Sequence, residues 1–477
     1  MTGRKSIVKI VRAIGVVCGF GLLLMMAACG TASSSKDTGS FYVGTSKVPW
    51  GMALNSDYSL LYVANSVENT VEIFDTATMN SLLTIPVLCT PRAITFNSDY
   101  SKLYVSHDNQ NKCTNSQISY AQRNEGWASV ISIADKKVVT EISLSTTSGY
   151  VQNARDIQYY HDPTKSVADF SSDAVFFTGY QAESQAGSME IINASTDAAS
   201  AMYVPDSESP IPFRVRLDTS KGLMYILDAY TQVISIKKLT DPQSNSFSNY
   251  TYNGQTTGYC AGTTNKKNNC ACTYNSECNS GLCNTSALIP YCKEASGVGE
   301  EMVTRLILAD SSYNIKVRGI CDPSTKLCTD AITNSSDYGY MKCINPWDIL
   351  PMDDGTMYVT CNGGTDEDEK DDEQYLFRVL IDDDGLASTN SSVVSPTSDL
   401  VCAQPTDLAT DPDQNYVFVA CFRDRYLAIF DGHTGEYLGK KDLPGPPVDI
   451  IASRNYVFVS TSSANKIMRF SINPLRN

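Results

Sequence analysis

The sequence predicts an all-β fold of repeated four-strand units, and three observations carry that prediction. The line "NSDYSLLYVANS" (residues 55–66) returns 42 residues later as "NSDYSKLYVSHD" (residues 97–108). A short opening recurs along the chain: "PWGM" at Pro49, "PRAI" at Pro91, "ARDI" at Ala154, "PFRV" at Pro212, "PWDI" at Pro346, "PTDL" at Pro405 and "PVDI" at Pro447. Alternating β-branched and aromatic runs follow each opening, separated by Asn/Asp/Ser clusters, which is the hairpin signal. A period of about 40–45 residues with four strands per unit is the pattern of a propeller blade. Seven openings give a seven-bladed β-propeller.

Each unit is read in the same order. The opening starts a first strand, and second strands follow as "LLYVAN", "KLYVSH", "AVFFTG", "LMYILD", "TMYVTC", "YVFVAC" and "YVFVST". Third strands include "TVEIFD", "SVISIAD", "SMEIINA", "QVISIKK", "LFRVLID", "LAIFD" and "IMRFSI". The last unit runs out after its third strand. Shifting the first repeat by one period places Phe41, Tyr42 and Val43 on the fourth-strand position of Leu83, Thr84 and Ile85. The N-terminal strand is therefore expected to complete the last blade and close the ring, which removes the open edge that invites aggregation.

Tyr62, Val63 and Asn65 in "YVANSVENTVEIFD" resemble the YVTN-type β-propeller repeat, closely in the first unit and loosely in the second, sixth and seventh. The resemblance implies the fold. It says little about activity, since propellers of this kind include lactonases, quinoprotein-like enzymes, surface-layer proteins and binding scaffolds.

The chain start is read as a leader. Arg4, Lys5, Lys9 and Arg12 precede the uncharged stretch 13–28, which is shorter than the ~20 residues of a spanning helix. A basic head, a short apolar core and small residues mark a secretory signal. "MAAC" resembles the bacterial lipobox, with Met26 where Leu is usual, and this implies diacylglycerol on Cys29. Residues 1–28 are then the signal peptide, 29–40 a polar tether, 41–477 the propeller and 240–343 a Cys-rich insertion between the fourth and fifth blades. Loss of four basic residues takes the formal charge from −15 to −19. Such a surface repels nucleic acid, so the membrane is contacted through the lipid alone.

Cysteines follow the repeat. Cys343 and Cys402 lie three residues before their openings, and Cys361 and Cys421 take the place of Asn65. First and second strands are antiparallel neighbours, so these ends face each other at ~4.5–5.5 Å between Cα atoms, within disulfide reach. The expected bonds are Cys343–Cys361, Cys402–Cys421, the looser Cys89–Cys113, and a local Cys321–Cys328 clasp. Cys260, Cys270, Cys272, Cys278, Cys283 and Cys292 resemble a small disulfide-stapled module and leave 15 connectivities open. This usage points to an oxidising compartment, the bacterial cell envelope. Without nearby His or a CxxC pair, zinc is the minority reading.

The usual chemistry is thin. Three histidines (His107, His161, His433) sit in three different units, and neither GxSxG nor CxxCH occurs. Three tryptophans are too few to resemble a quinoprotein propeller. One set stands out: Gly51, Ala93, Asp156, Arg214, Asp348, Asp407 and Asp449 occupy the same place, two residues into each opening. First strands line the channel, so four carboxylates and Arg214 gather at one mouth, overhung by the acidic loop 366–373. Two readings stay open here. The carboxylates hold a hard cation such as calcium, or each accepts a backbone N–H from the neighbouring blade. The functional expectation is a lipid-anchored binding or scaffold protein with no firm cofactor. The alternatives are a lactonase-like hydrolase using the mouth carboxylates, and a surface adhesin acting through the Cys-rich insertion.

Overall fold

In the computed structural model the described residues are 33–34, 40–44, 48–108, 126–146, 149–150, 153–180, 187–203, 212–219, 222–228, 233–241, 246–249, 283–284, 291–292, 305–307, 314–318, 320–321, 328–329, 346–362, 374–380, 392–393 and 402–472. The chain divides into two units, Met1–Thr31 and Ala32–Asn477, and the first lies outside the described residues. The second is an all-β propeller; among the described residues no helix is long and apolar enough to cross a membrane.

The repeated "NSDYS" line is a turn with its own hydrogen bonds. Asn55 accepts the Leu60 N–H on its side chain at 2.8 Å, and Asn97 accepts that of Lys102 at the same distance. Asp57 and Asp99 accept the N–H groups of Ser59 and Ser101. Tyr58 and Tyr100 stand at φ of 59° and 60°, the left-handed region that bulky residues avoid. The Asn and Asp side chains hold the backbone there, and that is why the line is written twice.

Among the described residues, six sheets of four or more strands are each cut from one stretch of chain. The first is Pro49–Leu54, Leu60–Asn65, Thr70–Asp75 and Ser81–Pro86, and the second Pro91–Phe96, Lys102–His107, Trp127–Ser132 and Lys137–Ser143. The third is Asn153–Tyr160, Ala174–Tyr180, Gly187–Asn193 and Ala198–Tyr203. The fourth runs Pro212–Asp218, Leu223–Asp228, Val233–Asp241, Asn314–Arg318, Arg305–Ile307, with Ser246–Asn249 also paired to its third strand. The fifth is Pro346–Pro351, Thr356–Asn362, Gln374–Leu380 and Ser392–Val393, the sixth Pro405–Thr410, Tyr416–Cys421, Tyr426–Asp431 and Tyr437–Asp442. A further, composite sheet joins Pro447–Ala452, Tyr456–Thr461 and Lys466–Ser471 to Ser40–Gly44, with Ser33–Ser34 outside it. In that pairing Phe41 faces Arg469, Tyr42 faces Met468 and Val43 faces Ile467.

The strand beside the third strand of the fourth sheet is Asn314–Arg318, and Arg305–Ile307 pairs to it one place further out. Within the stretch 29–40, Ser33 and Ser34 face Tyr42 and Phe41 in backbone register.

Consecutive first strands touch in ring order, and Pro447–Ala452 comes back against Pro49–Leu54. Apolar clusters lie between neighbouring sheets. Tyr62, Ile73 and Phe96 lie between the first two sheets; Phe418, Val459 and Phe470 lie between the sixth and the composite sheet. The first sheet is thus packed on both faces, against the second and the composite sheet, which a single unit could not achieve.

Candidate functional site

Every first strand begins with a register shift against its second strand, between Pro49 and Met52, Pro91 and Ile94, Ala154 and Asp156, Pro212 and Arg214, Pro346 and Asp348, Pro405 and Asp407, and Pro447 and Asp449. Such a bulge re-aims the residues beside it. Here it sets the predicted residues at one end of the channel.

The four carboxylates are handed from strand to strand. Asp156 accepts the Val215 N–H at 3.0 Å, Asp348 that of Leu408 at 2.9 Å, Asp407 that of Ile450 at 2.8 Å, and Asp449 that of Met52 at 2.6 Å. The last bond ties the composite sheet to the first. At Gly51 the backbones of the first two sheets come together directly: a Cβ there would lie 2.4 Å from the Arg92 carbonyl oxygen.

Two guanidinium groups fill the space that a cation would need. Arg214 bonds Asp407 at 3.1 Å and the Thr406 carbonyl at 3.3 Å. Arg216, which sequence reasoning missed, bonds Asp156 at 2.7 Å and Asp348 at 2.9 Å. The missed signal was period two: residues 214 and 216 share one face of the same strand. Burial alone would lower both arginines. The carboxylates of Asp348, Asp407, Asp156 and Asp449 outweigh it at Arg214, and Asp156 and Asp348 do so at Arg216. Burial raises Asp407 well above the usual carboxylate range against the pull of Arg214, with Asp449 adding repulsion. Asp449 is pushed up to about 6 by burial, against the Met52 N–H and Arg214.

The carboxylates converge, but their oxygens are engaged by N–H groups and arginines. Among the described residues no group of three or more His, Cys, Asp or Glu is placed to hold a metal ion.

Beside this cluster, Arg92 lies 3.8 Å over the Trp50 ring and pairs with Asp108. His107 is fully buried, bonded to the Cys89 carbonyl and to Ser129, and burial holds it down at about 3. His161 meets Asp173 at 2.9 Å, and Tyr159 donates to the same acid. Ser98 also bonds Asp173 rather than the imidazole, so these residues do not form a nucleophile–base pair. The N–H of His433 caps Asp431 in an exposed turn.

Cys402 and Cys421 are bonded, with Cα atoms 5.0 Å apart, at the very ends that hold Thr406 and Asp407. Cys89 and Cys361 are disulfide-bonded, and their expected partners Cys113 and Cys343 lie outside the described residues. Cys321 stands opposite Cys328 in backbone register, and Cys283 opposite Cys292. Cys29, Cys260, Cys270, Cys272 and Cys278 and the acidic loop 366–373 lie outside the described residues.

The fold and this site define a β-propeller whose channel mouth is knitted by ion pairs. No family model matches the chain, and no curated protein matches it. Among solved structures it is similar to Kuenenia stuttgartiensis hydrazine synthase, at TM-score 0.52 and 12% identity over 90% of this chain and 97% of that one. The computationally designed Ika8 protein aligns at TM-score 0.49 and 8% identity, over 90% of this chain and 98% of that one. At 12% identity the likeness to the hydrazine synthase is one of fold.

Proposed function

We propose that this chain is a lipid-anchored, seven-bladed β-propeller of the YVTN type in the bacterial cell envelope, acting as a binding or scaffold protein rather than as an enzyme. The observation that carries the reading is the engagement of the channel carboxylates. A general acid or base needs a group that reaches its substrate with a proton to exchange. Asp156, Asp348 and Asp407 each accept a backbone N–H and an arginine N–H, and Asp449 accepts the Met52 N–H, so they serve ring closure. Seven blades are supported by the cyclic contacts of seven first strands and by the pairing of Ser40–Gly44 with Lys466–Ser471. The envelope reading is supported by the leader, by Cys29 and by the Cys402–Cys421 bond.

Two measurements test it. Mass spectrometry of the mature N-terminus should find a diacylglyceryl Cys29, and Cys29→Ala should move the protein from the membrane to the soluble fraction. Wild type, Asp407→Asn and Arg216→Gln should not differ in turnover of a panel of lactones and aryl esters. Turnover present in wild type and lost in Asp407→Asn would establish the hydrolase instead.

A further inference from the structure

The anchor, if it is Cys29, joins the ring at one definite place. Ser33–Ser34 is the outermost strand of the composite sheet, paired to Ser40–Gly44. Four peptide steps separate Cys29 from Ser33, a reach of at most about 14 Å. A tether that short does not let a domain tumble freely above its lipid. It fixes which side of the ring is nearest the bilayer.

We infer that the rim at the composite sheet faces the lipid surface, so that the channel runs along the membrane plane and both mouths stay open to the aqueous phase. This rests on the lipid-anchor reading above. The composite sheet lies between the first and sixth sheets, whose first strands it contacts. The outer strand of the first sheet, Ser81–Pro86, carries no charge and leaves Leu82 56% exposed. The outer strand of the sixth, Tyr437–Asp442, leaves Leu438 41% exposed beside Lys440, with Asp442 its one acid. In a mature chain of formal charge −19, such an arc meets anionic headgroups with little repulsion, and exposed Leu and Lys suit the interface. The outer strand of the third sheet, Ala198–Tyr203, is uncharged too, so composition does not choose the rim. The position of the anchor does.

The test uses the full-length acylated protein in phosphatidylethanolamine–phosphatidylglycerol vesicles with an energy acceptor on the headgroups. A fluorescent amino acid is placed, one position at a time, at Leu82, Leu438, Ala199 on the far side of the ring, and Val67 and Ser56 on its two faces. Transfer at positions 82 and 438 should exceed that at 199 by about twofold or more, as expected for a rim held within that reach. Positions 67 and 56 should fall between and resemble each other. The highest transfer at 67 or 56 would mean a face lies on the bilayer, and equal transfer at all five would mean no fixed side; either overturns the inference. Intact mass of the same preparation separates the causes. A chain without the acyl group sinks the anchor reading and this orientation with it, whereas an acylated chain with the wrong pattern sinks the orientation alone.

Discussion

Glu190 shows what one side chain loses when a repeat drifts. Its counterpart in the first unit, Glu72, accepts hydrogen bonds from Asn65 at 3.1 Å and Ser81 at 2.6 Å. In the third sheet the strand facing Glu190 offers Phe177, and the position of Asn65 is taken by Gly179. Glu190 is fully buried with neither carboxyl oxygen hydrogen-bonded, and burial pushes it up to about 8. The folded state then holds a proton that the unfolded chain releases near pH 4.5, so stability falls as pH rises from about 4.5 to about 8, by at most about 1.4 kcal/mol per pH unit. His107 has the opposite sign. Held at about 3 against an ordinary 6.5, it contributes stability that is present above pH 6.5 and lost as pH falls towards 3. Melting curves from pH 4 to 9 should therefore show Glu190→Gln gaining on wild type as pH rises, and His107→Gln gaining on it as pH falls. Curves parallel to wild type would mean that these groups keep their ordinary titration in the fold. At the mouth, melting in calcium and in chelator should coincide for wild type, because Arg214 and Arg216 already engage Asp156, Asp348 and Asp407. A calcium-dependent rise in wild type that Asp407→Asn abolishes would restore the cation site.

The elements depend on how closely first strands approach one another. Where Asp449 reaches across from the composite sheet to Met52, a side chain bridges the gap. Between the first and second sheets the backbones approach at Gly51, where an added Cβ would meet the Arg92 oxygen and, at 2.8 Å, the Ala93 Cα. Both neighbours are backbone, so Gly51→Ala should cost about 1–3 kcal/mol, read as a lower denaturant midpoint with unchanged slope. The Cys402–Cys421 bond acts on the same end of the sixth sheet. It joins residues 19 apart and should contribute about 3 kcal/mol in the chain-entropy model. Cys402→Ala with Cys421→Ala should lower the melting temperature in oxidising buffer and leave no further loss on adding reductant at that bond.

For the whole molecule, Ser40–Gly44 and Lys466–Ser471 meet in one sheet. Removing residues 33–44 would leave Lys466–Ser471 as an unpaired edge beside the apolar cluster of Phe458, Val459, Met468 and Phe470. The truncated protein should aggregate at concentrations where the full domain stays monodisperse, as size-exclusion chromatography would read. Equal behaviour would mean that the N-terminal strand adds little to closure.

Much of this architecture is written locally, because a strand's alternation and a turn's Asn and Asp act over a few residues. The sequence by itself determined the repeat, the strand order within five of the six single-stretch sheets, the partner of Cys402, and the gathering of Asp156, Asp348, Asp407 and Asp449 at one mouth. Only the tertiary structure decided what those acids do. Whether a carboxylate takes a cation, an arginine or a neighbour's N–H depends on what lies across the gap between two first strands, and no spacing along the chain records that distance. The same holds for Arg216, whose partners are 60 and 132 residues away. It holds for Asn314–Arg318, which took the place beside the third strand of the fourth sheet, since pairing there is decided by competition among segments of a long excursion rather than by any one segment's propensity.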